Sequence, residues 1–180
     1  MNVFKFHIGL VFFTLVLGCS NNDIEEVSKV SGNKTLPIET GYDISINYTD
    51  SGKTKALVKA PLLERYVSED KNYTEMKEGI SVNFLDKNGR VESFLTAKYA
   101  IRYDQEKRVI ARNNVILMNF DGDTLRTEEL HWNEITQRIS SPKQVTITTK
   151  EEMMWGDGME SDVAFKNPKI YKLRGTMSLK

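Results

Sequence analysis

Between Leu95 and Thr149 the chain repeats itself. The segment LTAKYAIRYDQEKRVIARNNVILMN, from Leu95, lies on LRTEELHWNEITQRISSPKQVTITT, from Leu125, after a shift of thirty residues. Leu95 falls on Leu125, Ala97 on Thr127, Arg108 on Arg138, Val109 on Ile139, Val115 on Val145 and Leu117 on Ile147. Tyr103-Asp104 meets Trp132-Asn133 once one residue is dropped. A third, partial copy is expected from Met159, where Ser161-Asp162 repeats the small-then-charged step of Ala97-Lys98 and Thr127-Glu128. A fixed period of this length marks one supersecondary unit stacked on the next. The competing reading is two similar hairpins of an ordinary β-sandwich.

The unit is built from strands. Ile44, Ile46 and Tyr48 alternate with polar residues, Asp50-Ser51-Gly52 turns the chain, and Lys53 to Ala60 returns until Pro61 stops it. Leu62 to Tyr66 is a second short run, and Tyr73 to Met76 leads to Gly79. Ile80, Val82 and Phe84 then point one way and Ser81 and Asn83 the other. Asn88-Gly89 is a hairpin signal, with Val91 to Ala97 pairing back. Lys107 to Phe120 has room for two strands or one bent one, and Asp121-Gly122-Asp123 ends it. Strands are expected at Leu125 to Trp132, Arg138 to Ser141, Gln144 to Thr149, Met153 to Gly156, Met159 to Phe165 and Ile170 to Met177. Turn residues every eight to twelve positions make the chain all-β.

The first nineteen residues are different in kind. Lys5 supplies a positive start, and Ile8 to Leu17 is an apolar run of ten residues, about half of the roughly 20 that cross a bilayer. Such a run fits a secretory signal, residues 1–18. Val16-Leu17-Gly18-Cys19 resembles a bacterial lipobox, in which Cys19 is lipidated and becomes the mature N-terminus. An uncleaved anchor is the alternative. Residues 19–41 are polar and read as a tether, and 42–180 as the folded domain. Cys19 is the only cysteine, so the body has no disulfide, no thiol nucleophile and no thiolate metal site. The 25 basic and 25 acidic residues balance, which argues against nucleic acid, because phosphate recognition needs clustered positive charge.

No catalytic pattern is present. His131 has no second ligand spaced for a metal and reads as a surface or half-buried strand residue. Glu128-Glu129 and Glu151-Glu152 are adjacent strand residues, so each pair points to opposite faces and cannot share a site. No cofactor, metal site or enzyme activity is expected. One face of the repeat is harder to place. Val115 and Leu117 match the core side of the second copy, yet Ile116, Met118 and Phe120 load the other face too. That second apolar face either packs on the chain's own N-terminal strands or meets a ligand or partner.

Leu95-Thr96-Ala97, Asn113-Asn114-Val115, Asp121-Gly122 with Leu125-Arg126-Thr127-Glu128-Glu129-Leu130, and Gly156-Asp157-Gly158-Met159-Glu160-Ser161-Asp162 followed by Gly175 carry a resemblance. From about Ala60 to Gly175 the chain resembles the LptC family, the membrane-tethered periplasmic component of lipopolysaccharide transport. The resemblance implies a twisted open β-jellyroll whose apolar interior shields lipid A acyl chains. It implies receipt of lipopolysaccharide from an inner-membrane ABC transporter, and transfer to a periplasmic bridge protein by edge-strand pairing. Groove candidates are Ile80, Val82, Phe84, Val115, Leu117, Leu125, Val145 and Ile147. Docking candidates are Met159, Val163, Phe165, Ile170 and Leu173, in two C-terminal strands. Familiar members carry a transmembrane helix at the N-terminus, whereas Cys19 points to a lipid anchor on the periplasmic face of the inner membrane. Two other readings stay open. One is a glycan-binding β-sandwich lipoprotein with Trp132, Trp155 and Tyr103 as an exposed platform. The other is a structural lipoprotein that assembles through its edges without lipid.

Overall fold

The computed structural model describes residues 36–67, 72–166 and 168–176. The leader, Cys19, the tether up to residue 35 and Met177 lie outside the described residues. Fourteen antiparallel strands form one sheet among the described residues. They are β1 (Glu39–Asp50), β2 (Lys53–Val67), β3 (Asn72–Met76), β4 (Ile80–Leu85), β5 (Val91–Ala97), β6 (Tyr99–Tyr103), β7 (Arg108–Asn119), β8 (Thr124–Asn133), β9 (Arg138–Ser141), β10 (Val145–Thr148), β11 (Met153–Gly156), β12 (Gly158–Asp162), β13 (Lys169–Tyr171) and β14 (Arg174–Thr176).

The sheet folds over on itself into two facing layers. The first half of β2 pairs with β4 and the second half with β3. In the same way β7 pairs with β6 and then with β5, and β8 pairs with β10 and then with β9. One layer therefore holds β4, β5, β10, β11 and β14, and the other β3, β6, β9, β12 and β13. The long strands β1, β2, β7 and β8 run through both. All crossings between layers lie along one side, the spine. The hairpin turns lie on the opposite side and form two rims around a mouth. The architecture is all-β, as the strand pattern requires, and takes the form of the twisted β-jellyroll that the resemblance implies.

The crossings have local causes. Strand β7 is one bent strand rather than two, and its bend sits at Asn113 and Asn114, with φ of 64° and 54°. Asparagine tolerates this left-handed region better than other non-glycine residues. Pro61, expected to end a strand, lies inside unbroken β2. Its missing N–H costs nothing there. It falls between the stretches of β2 that pair with β4 and with β3, and it faces Asp43, whose φ of 51° bends β1 without shifting the register. The expected strand from Ile170 to Met177 is instead split into β13 and β14 by Lys172, at φ 50°.

The repeat is real and longer than it reads. Strands β5–β6–β7 and β8–β9–β10 are the two copies found in sequence. A complete further copy, β11–β12–β13–β14, follows with the same pairings, and β2–β3–β4 is another copy that precedes them. The later copy begins at Met153, not Met159. Its crossing is Gly156-Asp157-Gly158, while Ser161 and Asp162 lie within β12 opposite Ile139 and Arg138. The earlier copy escapes sequence comparison because its second crossing, near Gly79, lies about 35 residues before the next instead of thirty.

Candidate functional site: the interior between the layers

The interior is a stack of rows that run across the strands. In the middle row Ile46, Val58, Val82, Leu95, Leu117, Leu125, Ile147 and Met154 stand side by side on eight successive strands of the first layer. At about 4.8 Å between strands the row is roughly 30 Å long. The row nearest the spine alternates aliphatic β-branched side chains with smaller or polar ones: Ile80 beside Ala97, Val115 beside Thr127, Val145 beside Thr127 and Gly156. The row nearest the mouth runs Tyr48, Ala56, Phe84, Ser93, Asn119.

All eight groove candidates lie in this first layer and are buried: Ile80, Val82, Phe84, Val115, Leu117, Leu125, Val145 and Ile147 belong to one apolar cluster. The facing wall was not read from the sequence. It is built by Met76, Ala100, Ala111, Leu130, Trp132, Ile139 and Met159 of the second layer. Their own alternation, as in Leu130 and Trp132, was the available signal. Nothing local says that two alternating strands face each other.

The layers touch at the β1 end through aromatic side chains. Trp132 meets Phe84 edge-on at 5.1 Å between ring centroids and Tyr48 at 5.2 Å. The Tyr48 hydroxyl donates to the Glu134 carbonyl at 3.3 Å. Burial, then the charges of Glu134 and Asp50, holds the Tyr48 phenol above its ordinary pKa, so it remains a donor. Beneath it Arg102 makes a forked pair with the Glu134 carboxylate, at 2.6 and 3.0 Å, and also bonds Asp104. The hydrogen bonds to Glu134 raise the Arg102 pKa against the opposing effect of burial, which fixes the cation. The space left between the layers here, lined by Ile46, Val58, Met76, Val109 and Trp132, is about 80 Å³. A small-molecule pocket is usually about 300–1,000 Å³. At this end the layers leave less room than an acyl chain needs, so a guest there must part them.

The docking candidates separate. Met159, Val163 and Phe165 are buried in the interior cluster, and β12 is paired on both sides, so none of the three lies on a free surface. Ile170 packs against the cluster from β13, and Leu173 is half exposed between β13 and β14. Among the described residues, the strands with a partner on one side only are β1, β13 and β14. The second apolar face of β7 is not covered by the N-terminal strands: Met118 is 44% and Phe120 86% exposed. Trp132, at 6% exposure, faces inward and cannot join Trp155 and Tyr103 in a sugar platform. His131 is half-buried on the outer face and bonds Glu129, which also holds Arg112. Among the described residues no three His, Cys, Asp or Glu side chains are placed to hold a metal ion, and no helix is long and apolar enough to cross a membrane.

A family model described as lipopolysaccharide-assembly, LptC-related, matches residues 8–174, nearly the whole chain. The chain belongs to the LptC family. No curated protein matches it. Membership makes the chain a component of lipopolysaccharide transport, working on the periplasmic side of the inner membrane. For an LptC-family domain the chemistry to explain is physical rather than covalent. A lipid must be kept from water, and the two-walled apolar interior is the part of this fold suited to that.

Proposed function

We propose that this domain takes lipopolysaccharide from an inner-membrane ABC transporter, holds its acyl chains between the two layers, and passes it to a periplasmic bridge protein. The observation that carries this reading is the uninterrupted apolar row from Ile46 on β1 to Met154 on β11. A bilayer core of about 30 Å holds two leaflets of tails, so a row of similar length can cover a whole tail. Each methylene kept from water is worth about 0.8 kcal/mol, and continuity across eight strands lets a tail move along the row without exposing it. The one-sided strands at the two ends, β1 and β13–β14, are the surfaces on which neighbouring jellyrolls would add their own strands. Lipidation at Cys19 would hold the domain at the membrane.

The test is photocrosslinking in living cells with a probe at Phe84, Val115 or Ile147, and at Lys107 as a surface control. Lipopolysaccharide adducts at the first three and none at Lys107 are expected. A folded, anchored protein that gives no adduct at any interior position would return these residues to ordinary core, and a scaffold role without lipid would then lead.

A further inference from the structure

The second rim carries turns between successive strands of the second layer, and among the described residues the last of these turns is unlike the two before it. Between β6 and β7 the turn contains Gln105, Glu106 and Lys107, all exposed. Between β8 and β9 Ile135 and Thr136 also face water. After β12 the corresponding turn is Val163-Ala164-Phe165, and its exposures are 7, 7 and 2%. These side chains are not in a strand. They reach back from the rim into the interior, where Val163 and Phe165 join the same apolar cluster as the groove candidates.

Three further observations show how the turn is held. Phe165 has a φ of 35°, a left-handed conformation that strains a residue with a bulky side chain. The Ser93 hydroxyl, on the opposite layer, donates to the Val163 carbonyl at 2.6 Å across the mouth. The mouth row of the first layer changes from Phe84 to Ser93 and Asn119 along its length. Where the row carries Tyr48 and Phe84, Trp132 meets them from the other layer. Where it carries small and polar residues, Ser93 instead meets the Val163 carbonyl of the rim turn.

We infer that Val163, Ala164 and Phe165 form a plug that occupies, in the lipid-free domain, a seat for an acyl chain in the C-terminal half of the interior, and that lipid displaces it. The inference rests on the transport reading above. A strained turn, closed by the Phe165 N–H donating to the Asp162 carbonyl at 3.1 Å and held across the mouth by the Ser93 hydrogen bond and an apolar contact, is suited to exchange, because an incoming tail replaces the contact that Phe165 gives up. Strain released at Phe165 favours the open state.

The body has no other cysteine, so Ala164→Cys in the full-length protein reports on the turn. Maleimide labelling at this position is followed by peptide mass spectrometry, with and without purified lipopolysaccharide, and binding is measured on the same samples. Labelling should rise on the order of tenfold when lipopolysaccharide is bound, as a minor open state becomes the major one. Bound lipopolysaccharide with unchanged or reduced labelling would overturn the plug and leave it as permanent core. Absence of any binding would overturn the transport reading, and the plug with it. Phe165→Ala gives a second measurement. If Phe165 competes with lipid, the variant binds lipopolysaccharide more tightly than wild type; weaker binding by a folded variant makes Phe165 a wall of the groove instead.

Discussion

Tyr48 on β1 stands edge-on to Trp132 on β8, with ring planes at 80°, and its hydroxyl reaches past the indole to the carbonyl of Glu134. The strand at one free end of the sheet is thus tied to the opposite layer 86 residues away. Edge pairs of this kind contribute about 0.5–1.5 kcal/mol beyond their buried area. Tyr48→Ala should therefore cost roughly 2–4 kcal/mol in denaturant unfolding, and Tyr48→Phe no more than about 1 kcal/mol. Equal losses in the two variants would mean that the hydroxyl, not the ring, joins the layers.

The pair below Tyr48 is asymmetric. The Glu134 side chain is 2% exposed and has Arg102 as its cation, whereas Arg102 also has Asp104. Removing one partner of a buried pair costs about 3–5 kcal/mol when a charge is left uncompensated. Arg102→Ala should reach that range, and Glu134→Ala should stay nearer 1–2 kcal/mol because Asp104 still neutralises the guanidinium. Thermal or urea unfolding of the two single variants measures the order, and the reverse order would contradict it.

Neighbouring residues of β7 should behave oppositely. Leu117 is fully buried, and Met118, next to it, is on the outer face. Leu117→Ala should lose about 2–5 kcal/mol, while Met118→Ser should stay within about 0.5 kcal/mol. Similar losses at both positions would show that the outer face is covered in solution.

Gly156 marks the tightest point of the spine. A Cβ there would stand 2.3 Å from the Ile170 side chain and 2.6 Å from the Tyr171 carbonyl. Backbone cannot move aside as a side chain can, so Gly156→Ala should cost about 1–3 kcal/mol and loosen β13 first. Faster amide exchange in β13 than in β4 would locate the damage, and uniform exchange would place it elsewhere.

Glu92, at the first rim, gives the domain a pH dependence of known sign. Burial, then the charges of Asp162 and Asp86, raises its pKa against the weaker pull of Lys166 and Lys55. The folded chain therefore holds this proton more tightly than the unfolded chain. Stability falls as pH rises from the ordinary Glu value, about 4.3, through the raised one. Glu92→Gln should unfold at higher denaturant than wild type at neutral pH, with the difference closing below about pH 4. A difference that does not change with pH would assign the effect to packing.

How much of this was legible beforehand differs from place to place. The alternation of Ile80, Val82 and Phe84, and the thirty-residue match of Leu95 with Leu125, are local or periodic signals. They were enough for most of the strands, for the two central repeats and for the inward facing of the eight residues offered as groove candidates. They could not phase the later copy, because Ser161-Asp162 imitates a crossing while lying within a strand. Nor could they reveal the earlier copy, whose crossings are spaced differently. Val163 and Phe165 read as strand residues at an edge, since an apolar run looks alike in a strand and in a turn that folds inward.

By itself the sequence determined which side chains share a face, because a strand turns every second residue the same way regardless of its partners. It also determined that the unit is repeated, and the family to which the chain belongs. The tertiary structure alone decided what each face meets: that Trp132 lies between Phe84 and Tyr48, that Phe120 is left to water, and that a rim turn fills the mouth beside Ser93. Those contacts join residues as distant in the chain as Tyr48 and Trp132. They depend on how far the sheet folds over on itself, a property of all the crossings together that no short stretch of the chain encodes.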